Sequence, residues 1–463
     1  MSFLTPAPAH EVRKGFVKRT LQFMGLGATG VALFVVAFGA WLACEFYAAT
    51  PQNVYHRAYQ AAPAFLYDPG EMKNWEQWEH KFDADIATDD DAVRHANEML
   101  KSLNDPFTRM HTRDEVKQMK QQSSGTFVGI GIGLGYQADG DDKPVLDATG
   151  EPLPKTNANG YPVIDKVFEG GPAGNAGIQV GDAIKSANGV DLKDKKIQDV
   201  VAQLKGQPGT SVKLVIQTDG VDRTVDVTRG IIKTPAVVSK TYGDVGYVQL
   251  TGFEQDDTVA QMRDALTRLQ SSKSLTIDLR GNPGGRVDIC ISLVSLFLDE
   301  GDVVSIRNRV PFGGHSKTTY RLTKTGMTIE ELDEDTNKVS TREGKRQPNL
   351  AAGKSIVILV NGHSASASEM FTGALQDNHR ATVVGEKTFG KGIGQIMLPM
   401  PNGTLLRVTT LRYFTPNGTW LGDGSSKHHG IDPDNVVVPG KGFKPLTESD
   451  NQLEFALKLL QSK

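Results

Sequence analysis

Five consecutive aliphatic residues, Ile356 to Val360, run directly into a string of small and polar ones, Asn361-Gly362-His363-Ser364-Ala365-Ser366-Ala367-Ser368-Glu369. A short apolar run broken in this way reads as a strand, then a tight turn, then a helix. The same alternation recurs upstream. Val245 to Leu250 is strand-like and precedes a helical pattern at Thr258 to Leu269, and Leu275 to Leu279 precedes another at Arg286 to Leu298. Strand and helix in strict succession restrict this half of the chain to a layered α/β body. At 463 residues the chain has room for two or three such cores, so a multidomain α/β protein is expected.

The amino-terminal end has a different texture. Arg13, Lys14, Lys18 and Arg19 precede an uncharged stretch from Thr20 to Cys44 that includes Val31, Leu33, Phe34, Val35, Val36, Phe38 and Trp41. A helical span needs about 20 apolar residues, whereas the apolar core of a signal peptide is shorter. The expectation is therefore a cytoplasmic basic segment (1–19) and an uncleaved transmembrane anchor (20–44), with everything beyond about Glu45 outside the cytoplasm. A lipoprotein-type cleavage before Cys44 is disfavoured by Trp41, which stands where a small aliphatic residue is needed. Cys290, the second cysteine, is poorly placed to pair with Cys44.

Beyond the anchor, a helical region (45–125) is predicted from apolar spacing at Val54 to Tyr67, Trp75 to Ile86 and Ala92 to Leu103, the last opened by Asp89-Asp90-Asp91. From Thr126 to Pro235 short β runs and glycines take over, with one helix at Lys195 to Leu204 and a polar surface loop at Ala138 to Asn159. The α/β body follows (236–446). It is interrupted by a charged segment, 310–349, that is expected to be a mobile excursion. A final helix (447–463) follows Ser449, which with Gln452 forms a capping-box pattern. The net charge of −3, with both signs mixed along the chain, gives no basic stripe for nucleic acid.

Three short motifs carry chemistry. Ser366, flanked by small residues at the start of a helix, is a candidate nucleophile whose successor's N–H faces a developing oxyanion. Lys391, in Phe389-Gly390-Lys391-Gly392, is a candidate base, provided that burial lowers its pKa enough to leave the amine neutral. Asp278-Leu279-Arg280-Gly281-Asn282-Pro283-Gly284-Gly285 ends a strand in a turn whose backbone amides can form a nest for negative charge. Each motif also has a plain reading, as a packed turn or an exposed lysine.

Taken together, these motifs resemble the carboxy-terminal processing (tail-specific) serine protease family. So do Val384-Gly385-Glu386, Gly430-Ile431-Asp432-Pro433-Asp434, and the sequence Gly171-Pro172-Ala173 with Ala176-Gly177-Ile178 and Gly181-Asp182. The resemblance implies a PDZ domain of α+β type (126–235), and reads Asn104-Asp105-Pro106-Phe107-Thr108-Arg109 as the link leading to it. It also implies Ser366 as nucleophile, Lys391 as general base and Gln395 as the residue that orients or hydrogen-bonds the lysine. The oxyanion hole would be the N–H groups of Gly285 and Ala367, with Gly284 the fallback. Glu369 would support the site rather than carry a proton, and Ser364 and Ser368 would be structural. Gly129, Ile130, Gly131 and Ile132 would bind a substrate's terminal carboxylate. Gln249 and Gly281 depart from residues common in the family, without removing a catalytic group.

The function so implied is a membrane-anchored endopeptidase of the inner membrane. Its catalytic part would lie on the periplasmic side and cleave C-terminal tails of envelope proteins, with a homo-oligomer or an adaptor as possible partners. It needs no cofactor and no metal, since no His, Cys, Asp and Glu cluster has a recognisable ligand spacing. Two rivals remain. One is a Ser/His/Asp hydrolase built on His363, His379 or His428-His429. The other is a catalytically silent PDZ scaffold, which would require a break at the nucleophile or the base, and neither is broken.

Overall fold

The computed structural model describes residues 49–72, 74–137, 145–147, 152–311, 313–440, 442–443 and 445–461. The expected anchor, 20–44, lies outside the described residues, as does much of the 138–159 loop. No helix among the described residues is long and apolar enough to cross a membrane. These residues form two compact units, one made of 49–120, 237–436 and 456–461 and the other of 121–236 and 437–455.

The first unit is organised by a six-stranded sheet whose strands follow chain order: Val237–Tyr242, Val245–Leu250, Ser274–Asp278, Ser355–Val360, Thr382–Gly385 and Asn435–Val436. The first pair is antiparallel and the remainder are parallel. Leu275, Ile277 and the run Ile356 to Val360 are apolar because helices cover such a sheet. Ile356 to Val360 are all buried, each contributing roughly 1.5–3 kcal/mol. The register sets Gln249, Asp278 and Leu359 side by side, and Val360 beside Gly385. Four neighbouring strands therefore end at one edge, and the loops that leave them converge there.

A seven-stranded antiparallel sheet completes this unit. Its order is Arg109–His111, Leu405–Phe414, Gly301–Arg309, His315–Leu322, Met327–Asp333 and Lys338–Gly344, with Ile393–Pro399 also pairing on Leu405–Phe414. The 310–349 segment is thus three paired strands rather than an excursion. Alternating burial along His315–Leu322 puts Ser316, Thr318, Tyr320 and Leu322 inward and leaves charges at intervening positions, which masks the pattern in a charge count.

The amino-terminal helices Pro51–Phe65 and Asp89–Lys101 share a core with strand residues Leu406 and Val408, so this region belongs to the same unit as the body. Trp75 to Ile86 is not the expected helix. Only Trp75–Trp78 form a 3₁₀ turn, while Phe82 and Ile86 are buried in the same core from an irregular segment. The 104–109 link ends in a strand, Arg109–His111, paired with the strand at 405–407.

In the second unit a four-stranded sheet is built from Ala183–Ala187, Val190–Asp191, Ser211–Thr218 and Val221–Thr228. It shares a core with the helix Ile197–Leu204 through Ile184, Val200, Leu204, Leu214 and Ile216. The cap of the last helix, Asn451–Gln461, is Asp450, which accepts from Leu453 N at 2.9 Å, one residue past the expected Ser449.

One buried network fixes the end of the third strand of the parallel sheet. Asp278 accepts from Arg280 Nη2 at 2.6 Å and Nε at 3.0 Å, from Tyr247 Oη at 2.7 Å and from the Arg280 amide at 2.9 Å. The arginine and aspartate side chains are only 6% and 2% exposed. Replacing one partner of a buried pair strands the other charge. Asp278→Ala is expected to cost about 3 kcal/mol or more in chemical denaturation. An Asp278→Ala, Arg280→Met double variant should recover much of that loss.

Candidate active site

Ser366 sits where the strand Ser355–Val360 turns sharply into the helix Ala367–Asp377, with φ +56° and ψ −117°. A non-glycine residue held at positive φ costs about 1–3 kcal/mol and persists only where its surroundings enforce it. Here they do. Ser364 Oγ donates to Leu279 O at 2.8 Å, Ser368 Oγ donates to Asn282 O at 2.9 Å, and the Ala365 amide donates to the same carbonyl at 3.0 Å. The two flanking serines are thus sealed pins, both 0% exposed, while Ser366 is half-buried and reachable.

The turn after Asp278 lies against this elbow. A Cβ on Gly284 would fall 2.6 Å from Ala365 O and 2.8 Å from Ala367 N, so only glycine lets the two backbones approach this closely. The Gly284 amide is already engaged by Asn282 Oδ1 at 2.9 Å. Among the described residues, the N–H groups of Gly285 and Ala367 donate to no protein acceptor. The Gly284 amide, the fallback donor, is therefore occupied, while those of Gly285 and Ala367 are unengaged.

Glu369, fully buried, joins the elbow to the lysine loop. Its carboxylate accepts from Ser366 N at 2.8 Å, Thr388 Oγ1 at 2.6 Å, Gly390 N at 2.7 Å and Lys391 N at 2.9 Å. Burial pushes its pKa up, and these four donors oppose that shift by favouring the charged form. The other side of the Lys391 backbone is held by Tyr413, whose hydroxyl donates to the Lys391 carbonyl.

The Lys391 ammonium lies over the Phe107 ring, 4.4 Å from its centroid. Among the described residues it makes no hydrogen bond to Ser366. Burial lowers its pKa and Arg407 adds to the effect, while Asp105, Glu369 and Glu254 act in the opposite direction. Arg407 in turn donates to Phe107 O at 2.8 Å. Among the described residues no hydrogen bond joins Gln395 to the lysine. Gln395 follows a register shift in the strand Ile393–Pro399, and its amide donates to Thr409 Oγ1 at 3.3 Å. None of the candidate histidines bonds to Ser366, and His428 is occupied between the Phe389 and Ser425 carbonyls.

In the second unit, the expected carboxylate loop joins the strands Thr126–Gly129 and Ile132–Leu134. Gly131 turns it at φ +82°, and the Ile130 carbonyl accepts from Ala173 N at 2.7 Å. Among the described residues, the amides of Ile130 and Gly131 donate to no protein carbonyl, which leaves a small nest open to an anion.

Sequence reasoning passed over Phe107, Tyr413 and Arg407 as parts of this site. Only Phe107 had a signal, its place beside Asp105-Pro106 in a recognised motif.

Comparisons with known proteins identify the relatives of this chain. The model for peptidase family S41 matches residues 244–437, and a PDZ domain model matches 163–218. A carboxy-terminal-processing protease of Bartonella bacilliformis is 32% identical over 360 residues, 76% of this chain and 71% of that protein. A CtpA-like serine protease of Staphylococcus aureus is 32% identical over 354 residues, 75% of this chain but only 62% of the relative. Among solved structures, an S41 protease from Bacteroides fragilis superposes with a TM-score of 0.51 at 14% identity, covering 88% of this chain and 97% of that one.

An aromatic face stabilises the charged form of a lysine, and a nearby guanidinium destabilises it. Phe107→Leu should therefore move the acid limb of a peptidase pH–rate profile to lower pH, and Arg407→Gln should move it to higher pH. Coincident profiles for the two variants and the parent would contradict this account of the Lys391 environment.

Proposed function

Since the chain belongs to peptidase family S41, the carboxy-terminal-processing serine proteases, and carries a PDZ domain, we propose that it cleaves C-terminal tails of proteins with a Ser366/Lys391 dyad. The observation that carries this reading is the tie through Glu369. One carboxylate holds the backbones of Ser366 and Lys391, beside two unengaged N–H groups.

In the proposed reaction the neutral Lys391 amine swings from the Phe107 ring toward Ser366 and takes its proton as Oγ attacks the scissile carbonyl. Negative charge develops on the carbonyl oxygen, which the Gly285 and Ala367 amides would receive. The protonated lysine returns its proton to the leaving amine. Water then hydrolyses the acyl-enzyme, with Lys391 again the base. Removing water from around Lys391 serves this scheme twice, by lowering the proton affinity of the amine and by strengthening the oxyanion contacts.

The PDZ loop at Gly129, Ile130, Gly131 and Ile132 is proposed to receive the terminal carboxylate of the tail, favouring apolar last residues. The basic flank and the uncharged 20–44 stretch support an inner-membrane anchor, with the peptidase on the periplasmic side and envelope proteins as substrates.

An unstructured peptide with an apolar C-terminus tests both parts. Cleavage should fall by about 10³-fold or more in Ser366→Ala and in Lys391→Ala, with binding of the peptide retained. Amidating the C-terminus of the peptide should weaken binding. Undiminished cleavage in either variant would remove the dyad, and equal affinity for free and amidated peptides would remove the carboxylate reading. Binding with no cleavage in the parent protein would favour a scaffold.

A further inference from the structure

In the amino-terminal helical region His56 comes together with His80 and Asp83, a pair three positions apart in sequence. His56 is on the helix Pro51–Phe65, and His80 and Asp83 follow the 3₁₀ turn Trp75–Trp78. Their juxtaposition is fixed from below by the core. Tyr55, buried and next to His56, donates its hydroxyl to the Trp78 carbonyl and meets Phe82 edge-on at 6.0 Å. The two segments therefore cannot slide past one another without breaking buried packing.

Above that core, Asp83 has an imidazole on each side. His56 Nε2 is 2.9 Å from Oδ1, and His80 Nδ1 is 2.9 Å from Oδ2. One ligand atom from each of the three residues falls within 4.8 Å of the others. The two sides are not equivalent. The His80 contact is a hydrogen bond, whereas Oδ1, sheltered from solvent, has no hydrogen-bond partner despite its closeness to His56. A buried carboxylate oxygen facing a ring nitrogen in poor hydrogen-bond geometry is costly on its own. A cation accepting lone pairs from both atoms removes that cost. Lys81, a cation next to His80, is directed elsewhere, since its Nζ lies over Trp78 at 4.0 Å and 3.7 Å from Glu98.

We propose that His56, His80 and Asp83 bind a divalent transition metal, with zinc the fitting ion. Two imidazoles and one carboxylate match the preference of Zn²⁺ for nitrogen and oxygen donors in a four-coordinate shell, leaving one position for water. Mg²⁺ and Ca²⁺ prefer all-oxygen sites and are not served by this donor set. The bound ion would staple the first helix to the turn at 75–83 and stabilise the helical region. It stands apart from the Ser366 site and has no part in the peptidase chemistry proposed above.

The test uses the full-length protein carrying Ser366→Ala to prevent self-digestion, stripped with a chelator and titrated with Zn²⁺ by calorimetry and thermal unfolding. Binding of one equivalent is expected, with a midpoint that rises and saturates, and with no response to Mg²⁺. Asp83→Asn and His80→Ala should each weaken zinc binding by about tenfold or more. His80 is exposed, so its variant should unfold like the metal-free parent and lose only the zinc-dependent rise. Absence of saturable binding would overturn the proposal, as would binding that is unchanged in both variants.

Discussion

The Glu369 carboxylate accepts hydrogen bonds and donates none, and it is sealed from water, so it needs donors on both oxygens to remain there. It finds them on two separate stretches of chain: the backbone of Ser366 on its own helix, and Thr388, Gly390 and Lys391 on a loop that enters from the next strand. The residue that satisfies its own burial in this way also sets the spacing between the proposed nucleophile and the proposed base. A hydroxyl and an amine on long or flexible supports would meet rarely. Here the flexibility is confined to the lysine side chain, and the backbones that carry the pair are tied to one group.

The parallel sheet makes this possible. Strands ending at Leu250, Asp278, Val360 and Gly385 terminate together, and the loops after the last three supply the glycine turn, the Ser366 elbow and the Lys391 loop. The backbone strain at Ser366 is offset by pins from Ser364, Ser368 and Asn282, which are buried and fully engaged. Two adjacent glycines then carry unlike duties. Gly284 permits close approach and spends its amide on Asn282, and Gly285 keeps its amide available.

Much of this was legible in the chain because the strands, the elbow and the glycine turn are local patterns. The unbroken apolar run Ile356 to Val360 ending at Asn361-Gly362, and the strand-like runs at 245–250 and 275–279, identify the strands and their active edge without any knowledge of tertiary structure. What could not be read depends on contacts distant in sequence. Phe107 reaches Lys391 from a turn and Arg407 acts on it from another strand, Tyr413 holds its carbonyl, and Gln395 is turned toward Thr409 beside a register shift that no pattern announces. The charged strands at 315–344 failed as a sequence reading for another reason. Along 315–322 charge alternates with burial, and the edge strand Lys338–Gly344 is exposed along its length, so the segment resembles a loop when counted as composition. Trp75 to Ile86 misled in the opposite direction, since apolar spacing that fits a helix is also met by a 3₁₀ turn and an irregular segment that bury their aromatics in one shared core.

The most direct measurement is steady-state peptide cleavage by Glu369→Gln, with its unfolding midpoint recorded alongside. Glutamine keeps the size but replaces one acceptor oxygen with a donor that opposes the surrounding N–H groups. The account predicts a folded protein whose kcat falls by about 10²-fold or more while peptide affinity is retained, because the lysine loop is released from the serine. A folded variant with undiminished kcat would show that the shared carboxylate does not hold the two groups in place.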